Sequence, residues 1–210
     1  MTFNLNTIKN IIFDYGGVII NIDFLKSMKA FSDMGLSNPE ELLTLYTNAP
    51  LFDNLEKGKI TPAQFRDELR KLFINPVTDE ELDAAWNELI LNMPQHRLDF
   101  LLKLKTKFRT FLLSNSNVIH YDYYLKKLQT ENHVNSFEAL FEKAYFSFDL
   151  GMRKPDAEIF LHVLNQQHLI PEETLFIDDS KTNTDAAAAL GMQVYTLEKG
   201  EEFEEVLKSF

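Results

Sequence analysis

Polar side chains suited to phosphate or cation chemistry stand in this chain where apolar runs end. Asp14 follows Ile11-Ile12-Phe13 and precedes Tyr15-Gly16-Gly17. A carboxylate there can meet a ligand while glycine backbone N–H groups approach its phosphate. Asp and Gly are also common turn residues, so on these residues alone turn and active site are evenly matched. Asp178 and Asp179 follow Leu175-Phe176-Ile177. Adjacent carboxylates repel unless a donor or cation offsets them, and a hard divalent cation such as Mg²⁺ prefers oxygen ligands. A helix cap accounts for one Asp; the pair favours a metal. Ser114 follows Leu112-Leu113. Its hydroxyl can donate to an anionic oxygen, although taken singly it reads as an N-cap. No Gly-x-Ser-x-Gly pattern surrounds it, which disfavours an acyl-transfer nucleophile. Lys154 lies in Leu150-Gly151-Met152-Arg153-Lys154-Pro155, where it is either a point charge for a phosphate or a solvated surface lysine.

The elements that must position these residues alternate between strand and helix. Ile8 to Phe13, Phe108 to Leu113, Ala144 to Ser147, Thr174 to Ile177 and Gln193 to Thr196 read as short buried strands. Val18-Ile19-Ile20 reads as a further extended piece. Helices are expected over Ile119 to Gln129, from Pro155 to about His168, from Thr182 to Leu190 ahead of Gly191, and over Glu201 to Lys208. Such alternation implies a parallel sheet covered on both faces, and ligands bind such sheets outside the carboxyl ends of the strands. Asp14, Ser114 and Asp178-Asp179 fall at those ends.

From about Asp23 to Pro94 strand signals vanish and helix starts recur. Asn38-Pro39-Glu40-Glu41, Thr61-Pro62 and Thr78-Asp79-Glu80-Glu81 each carry a helix-start pattern. Leu42, Leu45 and Tyr46 share one helical face; Phe65, Leu69 and Leu72 share another. A bundle of about four helices is expected here, with Trp86 in its core and Phe24 near the substrate entrance.

The 210 residues suffice for a core domain carrying a smaller insert, and 45% hydrophobic with 25% charged residues is ordinary for a globular protein. The balance of 21 Lys+Arg against 32 Asp+Glu gives a net charge of −11, the wrong sign for a nucleic-acid footprint or an anionic membrane surface. There is no Cys, so thiolate chemistry and disulfides are excluded. No signal peptide or membrane-spanning apolar run is seen, and the cytoplasm is the expected location. The five His residues show no ligand spacing.

Taken in order, Asp14-Tyr15-Gly16-Gly17-Val18, Ser114, Arg153-Lys154-Pro155 and Asp178-Asp179 resemble the four motifs of the haloacid dehalogenase-like superfamily. The resemblance covers nearly the whole chain. Its details are similar to the branch that contains bacterial α-D-glucose-1-phosphate phosphatase. It implies an α/β fold: a Rossmann-like parallel sheet core with helices on both faces, formed by residues 1–21 and 95–210, and an inserted helical cap domain over residues 22–94. It implies a Mg²⁺-dependent phosphatase of small phosphorylated metabolites such as sugar phosphates, acting through an aspartyl-phosphate on Asp14. Asp14 and Lys154 would be catalytic. Gly16, Gly17, Ser114, Asn115 and Lys154 would bind phosphate. Asp14, Gly16 (through its carbonyl), Asp178 and Asp179 would hold the metal, Asp178 mainly through water.

One position departs from the family pattern. Gly16 stands where the usual second Asp acts as general acid and base, a contribution of typically 10²–10⁴-fold. Three consequences are open. A good leaving group tolerates the loss; another residue or water supplies the proton, Asp23 being a candidate; or the protein is a phosphate-binding regulator with little turnover. The same departure argues against a sugar-phosphate mutase. The paired Asp178-Asp179 argues against a metal-free dehalogenase.

Overall fold

The computed structural model describes residues 3–36 and 50–208. Its sheet has five parallel strands: β1 (Asn10–Phe13), β2 (Arg109–Ser114), β3 (Lys143–Phe146), β4 (Thr174–Asp178) and β5 (Gln193–Thr196), in the order β3-β2-β1-β4-β5. β1 lies at the centre, with Phe13 in register with Leu112 on one side and Ile177 on the other. The residues that follow therefore emerge on one edge of the sheet, side by side.

Strand periodicity of two sends alternate side chains to opposite faces. Ile11, Phe13, Leu112 and Ile177 pack on one face, with Leu98, Leu101, Tyr124 and Phe203. Ile12, Phe111, Leu113 and Phe176 pack on the other, with Ile159, Phe160 and Val163. Burying each such side chain stabilises by about 1.5–3 kcal/mol, against about 0–1 kcal/mol for an exposed ion pair. The apolar layers therefore fix the strand ends.

Four described helices lie between β1 and the rest of the sheet: α1 (Phe24–Asp33), α2 (Pro50–Glu56), α3 (Pro62–Arg70) and α4 (Asp79–Asn87). Thr61 with Gln64, and Thr78 with Glu81, form reciprocal capping boxes at the starts of α3 and α4. Phe31, Phe52, Phe65, Leu69 and Trp86 build an apolar cluster inside this insert, which reaches Ile119 of the core. Leu72 packs partly buried against it. The features at Asn38-Pro39-Glu40-Glu41, Leu42, Leu45 and Tyr46 lie outside the described residues.

Two antiparallel chain segments connect insert and core. Asn21 N donates to Asn92 O at 3.0 Å, Leu91 N to Asn21 O at 3.0 Å and Asp23 N to Leu89 O at 2.8 Å. The buried Arg97 guanidinium ties this hinge down by donating to Ile19 O and Asn21 Oδ1, while pairing with Glu202. Arg97 opens α5 (Gln95–Leu104) in its first turn. The remaining helices are α6 (Val118–Glu131), α7 (Ser147–Leu150), α8 (Ala157–Gln167), α9 (Lys181–Ala188) and α10 (Phe203–Val206). Among the described residues, no helix is long and apolar enough to cross a membrane.

Three local expectations need correction. Val18-Ile19-Ile20 folds back as a turn, with Ile19 N and Ile20 N donating to Tyr15 O; burial without a neighbouring ladder gives no strand. Pro155 does not open a helix: it follows Lys154 through a cis peptide bond, and α8 starts two residues later behind Asp156. The last helix covers Phe203–Val206 rather than Glu201 to Lys208.

Candidate active site

The strand ends bring together the polar groups that the sequence scatters. Asp14 leaves β1 with its N–H donating to Ile177 O at 2.9 Å. Ser114 and Asp178 are the last residues of β2 and β4. Lys154, only 1% exposed, donates from Nζ to Asp14 Oδ1 at 2.6 Å and to Asp178 Oδ2 at 2.7 Å. The ammonium thus bridges two carboxylates that would otherwise repel.

Asp178 is fully engaged. Its Oδ1 accepts from Ser180 N at 2.8 Å and from Asn183 Nδ2 at 3.0 Å. Asp179 is exposed, yet the carboxylate oxygens of Asp14, Asp178 and Asp179 can all lie within 4.8 Å of one another. Gly17 makes the approach possible. Its φ is +79°, and a Cβ there would collide with the Asp179 carboxylate. Glycine is needed twice over, for its backbone and for the absence of a side chain. The donor set is all oxygen and hard, which suits Mg²⁺.

The electrostatics point the same way. Burial pushes the Asp14 carboxyl from its ordinary 3.8 up to about 7; Asp178 and Asp179 add to the rise and Lys154 opposes it. Partial desolvation of its carboxylate, although the residue as a whole is exposed, also raises Asp179, with Asp178 reinforcing it. Burial disfavours the Lys154 ammonium, but Asp14 and Asp178 outweigh that and hold its pKa above the usual value. An excess of buried negative charge is what a divalent cation would relieve.

Asn115 has a different use from the one its position suggests. Its Nδ2 donates to Lys154 O at 2.8 Å and its Oδ1 accepts from Lys154 N at 2.9 Å. The side chain clamps the lysine loop to the end of β2, which leaves its backbone N–H for phosphate. The Ser114 hydroxyl makes only a long contact, 3.4 Å to Asn115 O, and is free to turn toward an oxyanion. Asp23 caps α1 by accepting from Leu25 N at 3.0 Å.

A cavity of about 130 Å³ is lined by Gly16, Ser114 and Asn115 and by Glu56, Trp86 and His120. Trp86 is 3% exposed within the insert cluster, and its ring stacks on His120 at 4.6 Å. Phe24 lies edge-on to Trp86. His120 Nδ1 lies 2.9 Å from Asn87 Oδ1, and burial pushes its pKa down to about 3. It is therefore neutral, and with Nδ1 donating to Asn87 its Nε2 is an acceptor. A larger groove of about 640 Å³ runs from Asp179 along Lys181, Thr196 and Glu198, outside the motif residues other than Asp179. His96 meets Glu202 and Glu204 at a distant surface site, but Arg97 already holds Glu202.

Sequence reasoning did not single out Glu56, His120 or Asn183. Asn183 has a signal, five residues after Asp178 on the following helix. His120 has a faint one, in the first turn of the helix after Ser114. Glu56 has none, because only the folding of the insert brings it here.

Comparison with known proteins gives these features a family. Residues 8–191 match the model of the haloacid dehalogenase-like hydrolases. The chain is 34% identical to a D-ribitol-5-phosphate phosphatase of Bacteroides thetaiotaomicron, over 95% of this chain and 97% of that one. A haloacid dehalogenase family enzyme from the same organism was crystallised with magnesium and inorganic phosphate as an aspartate-to-alanine mutant. It superposes with a TM-score of 0.89 at 39% identity, covering 95% of this chain and 98% of the other. A haloacid dehalogenase-like hydrolase from Porphyromonas gingivalis gives 0.84 at 30% identity, covering 97% of each chain. With strand ends, lysine bridge and acid pair arranged in one family's order, this chain belongs to the haloacid dehalogenase-like hydrolases.

Proposed function

We propose that this hydrolase, a phosphatase like its D-ribitol-5-phosphate phosphatase relative, cleaves phosphomonoesters of small sugars or sugar alcohols with Asp14 as nucleophile and Mg²⁺ as cofactor. The observation that carries this reading is the Lys154 bridge, which anchors Asp14 Oδ1 and so fixes the rotation of the attacking carboxylate. A second Asp14 oxygen attacks phosphorus, the ester bond breaks, and the alcohol leaves. Water then attacks the acyl-phosphate and releases inorganic phosphate. Ser114 and the Asn115 backbone hold the equatorial oxygens, and Lys154 offsets their charge. Asp14, the Gly16 carbonyl and Asp179 would hold the cation, with Asp178 supporting them. When bound, the cation neutralises charge on the phosphoryl group in flight.

The insert, residues 22–94, acts as a cap over the core formed by residues 1–21 and 95–210. Its contribution to the cavity is mostly apolar, with Glu56 the acidic exception. That lining favours a small, otherwise uncharged alcohol portion over a nucleotide. Glucose 1-phosphate and a pentitol 5-phosphate both meet this description.

Phosphate release from a panel of esters in millimolar Mg²⁺ tests the reading. The expected result is turnover of sugar or polyol phosphates above nucleotides, lost with chelator and restored by Mg²⁺. Chelator-insensitive activity would remove the metal from the account. Gly16 motivates a second reading, a regulator that binds phosphate without turnover; it predicts thermal stabilisation by phosphate and no release from any ester. Gly17→Ala is expected to displace Asp179 and weaken Mg²⁺ binding about 10–100-fold, the range for groups that orient metal ligands. Calorimetric titration with Mg²⁺ checks it; unchanged affinity would detach Asp179 from the metal.

A further inference from the structure

We propose that Glu56, delivered by the insert, is the general acid and base of this site, replacing the side chain that Gly16 lacks. The inference rests on the phosphatase reading above and deepens it. Residue 16 can supply no proton, and Asp23 is occupied as the cap of α1. The cavity beside Gly16, Ser114 and Asn115 is lined by Glu56 at the C-terminal end of α2.

The other titratable groups lining this cavity are poorly matched to the task. Burial holds His120 neutral, with a pKa of about 3. Burial pushes the Tyr15 and Tyr124 hydroxyls far above neutrality. Burial also raises the Glu56 carboxyl, Arg153 opposes the rise, Asp53 reinforces it, and Lys154 and Lys57 oppose it. A carboxyl moved toward neutrality can give a proton in one step and take one in the next.

Its position is built. Arg153 Nη2 lies 3.0 Å from Glu56 Oε2, and Arg153 Nη1 lies 3.0 Å from Asp53 Oδ1. Lys57 pairs with Asp156 at 3.2 Å. Gly58, at φ +61°, backs so closely onto Phe148 O that a Cβ would collide with it. These contacts pin the end of α2 to the loop that carries Lys154, with Glu56 lining the same cavity as Gly16, Ser114 and Asn115. Docking of the insert therefore brings the proton donor into place.

The steps balance. As Asp14 attacks, the P–O ester bond breaks and its electron pair goes to the alcohol oxygen, which takes the Glu56 proton. The Glu56 carboxylate then takes a proton from the water that attacks phosphorus, and the Asp14–phosphorus bond breaks to release phosphate.

The test compares Glu56→Gln with the wild type on two esters. A sugar phosphate has a poor leaving group that needs a proton; a dinitrophenyl phosphate does not. Expected is a loss of about 10²–10⁴-fold in kcat on the sugar phosphate, while the first-turnover burst of dinitrophenolate keeps its wild-type rate constant. That rate constant does not depend on the fraction of protein folded. Glu56→Asp, which retains an acid, is expected to be faster than Glu56→Gln on the sugar phosphate. Equal slowing of both esters, no slowing of either, or an Asp variant no faster than the Gln variant overturns the proposal. A wild type that hydrolyses neither ester instead overturns the phosphatase reading, before any variant is compared.

Discussion

Asp14→Asn is expected to abolish phosphate release, by about 10⁴-fold or more, on the scale of losing a nucleophile that works as a unit with its neighbours. The fold should survive. Asp14 is a buried carboxyl pushed up to about 7 by burial and by Asp178 and Asp179, so a neutral amide removes repulsion as well as an attraction. Lys154 keeps its bond to Asp178. The melting temperature is therefore expected to stay level or rise while activity disappears. Phosphate release and a thermal melt on the same preparation check both halves. Turnover near the wild-type rate would remove Asp14 from the chemistry.

Lys154→Met is expected to damage stability and activity together. Lys154 is the direct cationic partner of both Asp14 and Asp178, and its side chain is 1% exposed. Removing one member of a buried ionic cluster costs about 3–5 kcal/mol, because the remaining charges are left uncompensated. At about 2–4 °C per kcal/mol for a chain of this size, the melting temperature should fall by roughly 6–20 °C. Catalysis should fall by about 10²–10³-fold through loss of a fixed charge on the transferring group. Lys181→Met is the control: Lys181 also pairs with a carboxylate, Asp185, but is 75% exposed. Its loss is expected to change stability by less than about 1 kcal/mol. A Lys154 variant as stable as this control would mean that the bridge does not organise the site.

The core was readable in the sequence because buried parallel strands are short apolar runs bounded by turn residues. Asn10–Phe13, Arg109–Ser114 and Thr174–Asp178 have that form, and the polar residues closing them mark the edge where ligands bind. The capping boxes at Thr61 and Thr78 were equally local and equally visible. Val18-Ile19-Ile20 misled because burial and strand pairing are different things: its apolar side chains fill the core while its N–H groups close a turn on Tyr15. Asn115 shows a residue in the expected place doing another task, since its amide serves the Lys154 backbone. Glu56 was invisible for a stronger reason. Its only local context is an amphipathic helix, where a Glu reads as a solvated face. Its significance comes from the docking of α2 on the lysine loop through Arg153, a contact spanning 97 positions of chain.

The most direct test of the central claim is rapid acid quench of the wild type with a sugar phosphate carrying a labelled phosphoryl group, followed by peptide mapping. The account predicts label on the peptide containing Asp14 within the first turnover, lost on a chase with unlabelled substrate. Product release with no label on the protein, or label on a different residue, would contradict it.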